Sequence, residues 1–365
     1  MKALLTAARG SHLKPLTHTI NKHLIPLANK PMIFYALEHI ISAGINDIGI
    51  IINENDNEVP RIIGDGSKQN CRITYIKQTG GTLGLGHVIK VARNFLEEES
   101  SKGESASGGK FLLYLGDNII LDNLTALIDH FETSNANCLL ALAKVQNPQR
   151  FGVPELRGNN IIRVEERPVY PKSEYAVAGL YFYDTCAHIA AENIKPSFRG
   201  DYEISDIHTW LAQNNYNVIW KEIKSWWKDR GEPRDLLEGN KLVLSRLLKS
   251  RQEGALEEST KIEGEIEIGK GTRVGGKTLI RGPVSIGEYC LIKDSYIGPF
   301  TSLGNKVELH GANIENSLVF DDASIVTSSK IIDSVIGAGS TIASAKFEMP
   351  EGNKIIIGEN SNLAI

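Results

Sequence analysis

At 365 residues the chain exceeds what one ordinary hydrophobic core supports, so two domains are the starting expectation. Its 41% hydrophobic and 23% charged residues are those of a globular chain, which excludes disordered, collagen-like and small disulfide-stapled polypeptides. Forty Lys and Arg against 44 Asp and Glu leave a net charge of −4, scattered along the chain, so no broad basic field is present to hold nucleic acid or acidic lipid and any phosphate chemistry must be local.

The apolar opening, Met1 to Ala8, is interrupted by Arg9, His12 and Lys14 before a signal-peptide core could form. Residues 3–6 read as a strand. A small-residue loop with basic side chains follows (Ala7-Ala8-Arg9-Gly10-Ser11-His12-Leu13-Lys14), then Asn21-Lys22-His23-Leu24-Ile25-Pro26. Small residues let backbone N–H groups approach phosphate oxygens, and Lys or Arg neutralises the charge that remains. The loop matches neither of the common glycine-rich phosphate motifs, and a strand-to-helix turn with solvated basic residues is the plainer alternative. An amphipathic helix is expected over 31–43, strands over 48–52 and 73–76, and a helix over 85–96. Residues 97–110, rich in Ser, Glu and Gly, read as a surface loop. A buried strand over 111–115 ends in Gly116-Asp117-Asn118, and alternation of compact apolar runs with helical stretches over the first 240 or so residues predicts a sheet with crossover helices. No run approaches the ~18 apolar residues of a membrane span. Cys71, Cys138, Cys186 and Cys290 form no C-x-x-C pair, which fits reduced thiols in a cytoplasmic protein without a membrane partner.

After a connecting helix over 236–248 the pattern changes. Apolar residues recur every six positions, at Ile262, Ile268, Val274, Ile280, Ile286 and Ile292. The phase then slips by one and continues through Ile297, Leu303 and Leu309, Val319, Ile325 and Ile331, and Ile336 and Ile342, often with Gly next in line. A hexapeptide period of this kind predicts a parallel β-helix in which stacked coils bury a continuous core that none could bury alone.

Several motifs then occur in a telling order: Lys22 to Pro26, Ala28-Asn29-Lys30-Pro31-Met32, Leu83-Gly84-Leu85-Gly86-His87, Tyr114 to Asn118, Phe151-Gly152-Val153, Val164-Glu165-Glu166-Arg167-Pro168, Gly179-Leu180-Tyr181-Phe182, Arg199 to Asp206, and Trp226 to Gly231. In these the chain resembles, over nearly its whole length, the nucleoside-diphosphate-sugar pyrophosphorylases, and within them the glucose-1-phosphate thymidylyltransferases of the long type with a C-terminal β-helix. The resemblance implies a Rossmann-like α/β nucleotidyltransferase domain over 1–250 and a left-handed parallel β-helix over 251–365. It implies Mg²⁺-dependent transfer of a nucleotidyl group from a nucleoside triphosphate, dTTP by preference, to a hexose 1-phosphate such as glucose 1-phosphate.

By that resemblance Asp117 and Asp229 hold the Mg²⁺, Lys22 and His12 neutralise the triphosphate, and Arg167, where the family commonly shows Lys, grips the sugar phosphate. Ala7, Ala8 and Gly10 line the triphosphate loop, Gln78 and Gly84 meet the nucleobase, and Gly152, Glu166, Tyr181 and Arg199 line the sugar subsite. The opening loop departs from the family's Gly-Gly-x-Gly-Thr-Arg: Ala7 and Ala8 replace two glycines, and His12, with an ordinary pKa of ~6.5, replaces a permanent cation. Taken singly, these residues have plainer readings: turn glycines at 84 and 152, a surface carboxylate at Glu166, a core tyrosine at 181. UTP in place of dTTP and an amino sugar in place of glucose stay open, as does a relative that binds nucleotide sugar without reacting. His310 reads as a solvated corner residue, the alternative being a base for acyl transfer from acetyl-CoA. The β-helix is expected to mediate homo-oligomer formation, because its end coils must be covered.

Overall fold

The computed structural model describes residues 1–8, 13, 16–18, 20–81, 83–98, 109–228 and 232–344. Its contacts divide it into two compact units, Met1–Pro26 with Lys30–Gly239, and Leu27–Asn29 with Asn240 onward.

The first unit is built on a nine-stranded sheet in the order Arg72–Gln78, Asp47–Asn53, Lys2–Thr6, Phe111–Leu115, Tyr175–Tyr183, Cys138–Lys144, Val218–Glu222, Asn160–Glu166, Gly152–Arg157. The first four strands run parallel, and Tyr175–Tyr183 enters antiparallel to both of its neighbours. This is the Rossmann-like half-sheet expected. Both faces are covered, so the central strands Lys2–Thr6 and Phe111–Leu115 are buried at every position instead of alternating. Ala3 and Leu5 pack with Ile33, Ala36, Leu37 and Ile40 on one face, while Leu4 packs with Val88, Ile89 and Phe95 on the other.

The helix Met32–Ser42 starts directly after Pro31, which cannot lie in a helix interior, and stops where Gly44 takes a φ of 86°. The helix expected over 85–96 is two pieces, Leu85–Val91 and Arg93–Glu97. The break is local: the Ala92 N–H still donates to the Val88 carbonyl and Leu96 N–H to that of Ala92, so one apolar stripe runs across both. The helix Pro233–Leu247 begins with proline in its first turn, and the Asp235 carboxylate accepts from the Glu232 N–H at 3.1 Å, a cap that a sequence start at 236 overlooks. No helix among the described residues is long and apolar enough to cross a membrane.

The second unit is a left-handed parallel β-helix with, among the described residues, three sheet faces of six, six and five short strands. Its core holds Ile268, Val274, Ile280, Ile286, Ile292, Ile297, Leu303, Leu309, Val319 and Ile325, the positions marked by the hexapeptide period. The phase slips have a structural meaning. Ile268 pairs with Ile286, 18 positions on, Ile286 with Leu303, 17 on, and Leu303 with Val319, 16 on. A coil can lose a residue at a corner while the ladder stays in register, because only the inward residue of each face is sterically specified.

Candidate active site

Open α/β sheets bind ligands beyond the carboxyl ends of their parallel strands, and the candidate side chains fall into three groups. The first is set by Gly116. Its N–H donates to the Thr6 carbonyl at 3.1 Å, and a Cβ on it would lie 2.2 Å from that oxygen and 3.1 Å from the His23 ring. Only glycine lets the two strand ends come so close, and the next residue, Asp117, is thereby carried to the Lys22–Leu24 turn. Asp117 is buried, its side chain 10% exposed; Oδ2 lies 2.6 Å from Lys22 Nζ and Oδ1 accepts from Asn118 Nδ2 at 2.9 Å. Asn118 is itself buried and accepts from the Trp226 indole N–H at 2.7 Å. The strand Trp226–Lys228 pairs antiparallel with Asn118–Ile120, Lys228 opposite Asn118. The residue after Lys228 is Asp229, which lies outside the described residues, as do Arg9, Gly10, His12 and Lys14.

Asn21 secures this corner. Its side chain donates to the Ala7 carbonyl at 3.0 Å and to Asp56 Oδ2 at 2.8 Å, and its Oδ1 accepts from the His23 N–H. Burial, reinforced by the Lys22 charge, lowers the His23 pKa to about 3, so this imidazole stays neutral and leaves Lys22 as the cation of the turn. Neither Ala7 nor Ala8 has a positive φ, so at these two positions the family's glycines are replaced without backbone strain.

The second group lies where Glu166 pairs with Gly152 across adjacent strands. Ser205 Oγ donates to Glu166 Oε2 at 2.7 Å, and a Cβ at Gly152 would sit 3.0 Å from that hydroxyl and 3.2 Å from the carboxylate. Arg167 follows at a φ of 48°, its N–H bound to the Phe151 carbonyl and its guanidinium 63% exposed, with Nε 3.8 Å from Glu166 Oε1. Tyr181 is buried, and burial, with the charges of Glu166 and Asp117 adding to it, raises its pKa far enough to keep the phenol protonated. Arg199 pairs with Glu203 at 2.9 Å and not with Glu166. Asp206 beside them is raised by burial and by Glu203 and Glu166.

The third group borders a cleft of about 360 Å³ lined by Asn53, Asp56, Glu58, Gln78 and Gly81. Gln78 closes its strand and meets His87 Nδ1 at 3.3 Å. Gly84 is glycine for a reason internal to the fold: at a φ of 86°, its Cβ would lie 2.6 Å from the Tyr202 carbonyl oxygen. Asn21, Asn118 and Ser205 are structural members of the candidate site to which sequence reading attached no role. His310 lies exposed on the β-helix, beside a groove shared with Arg273 and Lys293.

Among the described residues no three His, Cys, Asp or Glu side chains gather as a metal cage. Asp117 nevertheless fits Mg²⁺: it is a hard oxygen donor already paired with the positive charge of Lys22, and Mg²⁺ commonly takes only one or two carboxylates plus substrate phosphates.

A mixed α/β sheet followed by a β-helix fits the architecture expected, and residues 2–246 match the nucleotidyl transferase family, to which the chain belongs. It is an enzyme of nucleotidyl transfer to a sugar phosphate. The chain is 38% identical to a low-salt glycan biosynthesis nucleotidyltransferase of Haloferax volcanii, over 99% of each chain. It is 36% identical to a glucose-1-phosphate thymidylyltransferase of Streptomyces antibioticus, over 100% of this chain and 99% of that one. A crystal structure of a glucose-1-phosphate thymidylyltransferase-like protein from Bacillus anthracis, in complex with a sucrose, superposes with a TM-score of 0.59 at 29% identity, covering 69% of this chain and 97% of that one.

Proposed function

We propose that the enzyme transfers the thymidylyl group of dTTP to glucose 1-phosphate, releasing pyrophosphate and forming dTDP-glucose. The sugar phosphate oxygen attacks the α-phosphorus in line. Since a phosphate monoester is largely dianionic near neutrality, the chain has to supply position and positive charge and no general base.

Lys22, aided by His12 and the backbone of Ala7, Ala8 and Gly10, receives the triphosphate. Gln78 and Gly84 border the nucleobase. Glu166 accepts hydrogen bonds from the sugar hydroxyls, its free rotation removed by Ser205, while Gly152 leaves space for the ring and Tyr181 and Arg199 bound the subsite. The exposed Arg167 guanidinium, beside Glu166, closes on the sugar phosphate. Asp117 and Asp229 would hold Mg²⁺, which when bound neutralises phosphate charge as pyrophosphate departs.

The observation that carries this reading is the Lys22–Asp117 pair, 2.6 Å apart and largely enclosed where strands Lys2–Thr6 and Phe111–Leu115 end. The preference for thymidine and glucose draws on the Streptomyces relative. Pyrophosphate release measured across four triphosphates and a panel of sugar 1-phosphates tests it: dTTP with glucose 1-phosphate should react fastest, and chelation of Mg²⁺ should stop the reaction. A faster reaction with UTP or with an amino-sugar phosphate refutes the assignment.

A further inference from the structure

The second unit includes three residues from far upstream, Leu27–Asn29. Ala28 and Asn29 form the turn between the short strands Pro26–Leu27 and Lys30–Pro31, with φ of 45° and 62°. Asn tolerates this left-handed region, but Ala is disfavoured there, so the turn needs outside support. It receives it from Asn240, which is fully buried: the Ala28 N–H donates to Asn240 Oδ1 at 2.8 Å. Ser302 Oγ donates to the same oxygen at 2.8 Å, and Asn240 Nδ2 donates to the Phe300 carbonyl at 2.9 Å. Asn29 Nδ2 donates to Ser285 Oγ at 3.0 Å, and Ser285 donates on to Glu267 Oε2 at 3.2 Å.

Glu267, Ser285 and Ser302 stand in register on one face of the β-helix. On that face the two serines are buried with their neighbours, whereas on the next face Leu291 and Glu308 are exposed. A buried polar network in which each member is paired specifies one geometry. Upstream, the hairpin leads directly into the turn Lys22–Leu24: the Ile25 N–H donates to the Lys22 carbonyl at 3.2 Å, and the Met32 N–H donates to that of Ile25 at 3.0 Å.

We infer that Asn240 is a positioning residue for nucleotidyl transfer: by holding the Ala28–Asn29 turn on the serine face of the β-helix, it fixes the hairpin that sets the place of Lys22. The inference rests on the reading of Lys22 as the cation that receives the triphosphate.

Asn240→Ala leaves the Ala28 N–H unpaired. In the full-length enzyme the KM for dTTP should rise about tenfold, with the KM for glucose 1-phosphate changed less than twofold. In a Lys22→Ala background the same substitution should change the dTTP KM less than twofold, because its effect runs through Lys22. Asn29→Gly, which keeps the backbone conformation and removes only the bond to Ser285, should raise the dTTP KM about threefold and serves if Asn240→Ala does not fold. An equal factor in both backgrounds, a parallel rise in both KM values, or no rise in either variant overturns the inference. If Lys22→Ala alone leaves the dTTP KM unchanged, the reading of Lys22 itself fails, and the inference with it.

Discussion

Replacing Gly152 by Ala adds one methyl group whose nearest neighbours are the Ser205 hydroxyl, at 3.0 Å, the Glu166 carboxylate, at 3.2 Å, and Val164 Cγ1, at 3.5 Å. The φ of Gly152 is not positive, so the backbone admits alanine and the perturbation is confined to the side chains it touches. Carbon and oxygen settle near 3.5 Å, so the hydroxyl and the carboxylate must each yield by a few tenths of an ångström, and the 2.7 Å bond between them stretches. A hydrogen bond to a charged group contributes about 1.5–3 kcal/mol. Loss of part of it, about 1–2 kcal/mol, corresponds to a five- to thirty-fold rise in the KM for the sugar 1-phosphate. Initial rates of pyrophosphate release, with each substrate varied in turn, give both constants; the KM for the triphosphate should stay within twofold. Ser205→Ala, which removes the hydroxyl, should reproduce the effect. A Gly152→Ala enzyme with an unchanged melting temperature and an unchanged sugar-phosphate KM would refute the placement of the sugar at Glu166.

Gly116→Ala should behave differently, since its methyl would meet a backbone oxygen at 2.2 Å: a loss of about 3 kcal/mol of stability should appear in denaturant unfolding, and a normal midpoint would refute the close-approach account. Leu309, fully buried in the β-helix core, should cost about 2–5 kcal/mol on truncation to Ala, read as a lowered unfolding midpoint; no change would show that rung to be loosely packed. His208 is buried with Nε2 2.6 Å from the Tyr183 hydroxyl, and burial lowers its pKa to about 3. The unfolded chain, with a histidine pKa near 6.5, therefore binds a proton that the folded chain refuses, so stability falls as pH drops from about 6.5 toward 3, by about 2 kcal/mol for this residue at pH 5. His208→Gln should flatten the stability profile between pH 6.5 and 5; an identical slope in the variant would contradict neutral burial.

Much of the architecture was legible because it is periodic. The apolar run Phe111–Leu115 is a strand with the bounds expected, and the β-helix core occupies the hexapeptide positions from Ile268 to Ile325. Lys22 and Asp117 were recognised from motifs and do meet. The partners that orient the site were not legible. Ser205 reaches Glu166 across 39 positions and Trp226 reaches Asn118 across 108, and no local pattern encodes which polar side chains such distances bring together. Gly84 shows the same limit. A glycine in a motif suggests room for a ligand, but the group pressing on this one is the Tyr202 backbone.

The amino-acid sequence alone determined the kinds of element and their order, since helix, strand and β-helix coil each impose a repeat on the apolar residues that bury them. Tertiary structure alone decided that Asn240 and two serines of the β-helix would cradle a turn near the amino terminus, and that a serine would steady Glu166. Repeats arise from burial on one face, which neighbouring residues encode. Hydrogen-bonded groupings arise where distant stretches of chain close on one another, and their membership follows from the packed geometry.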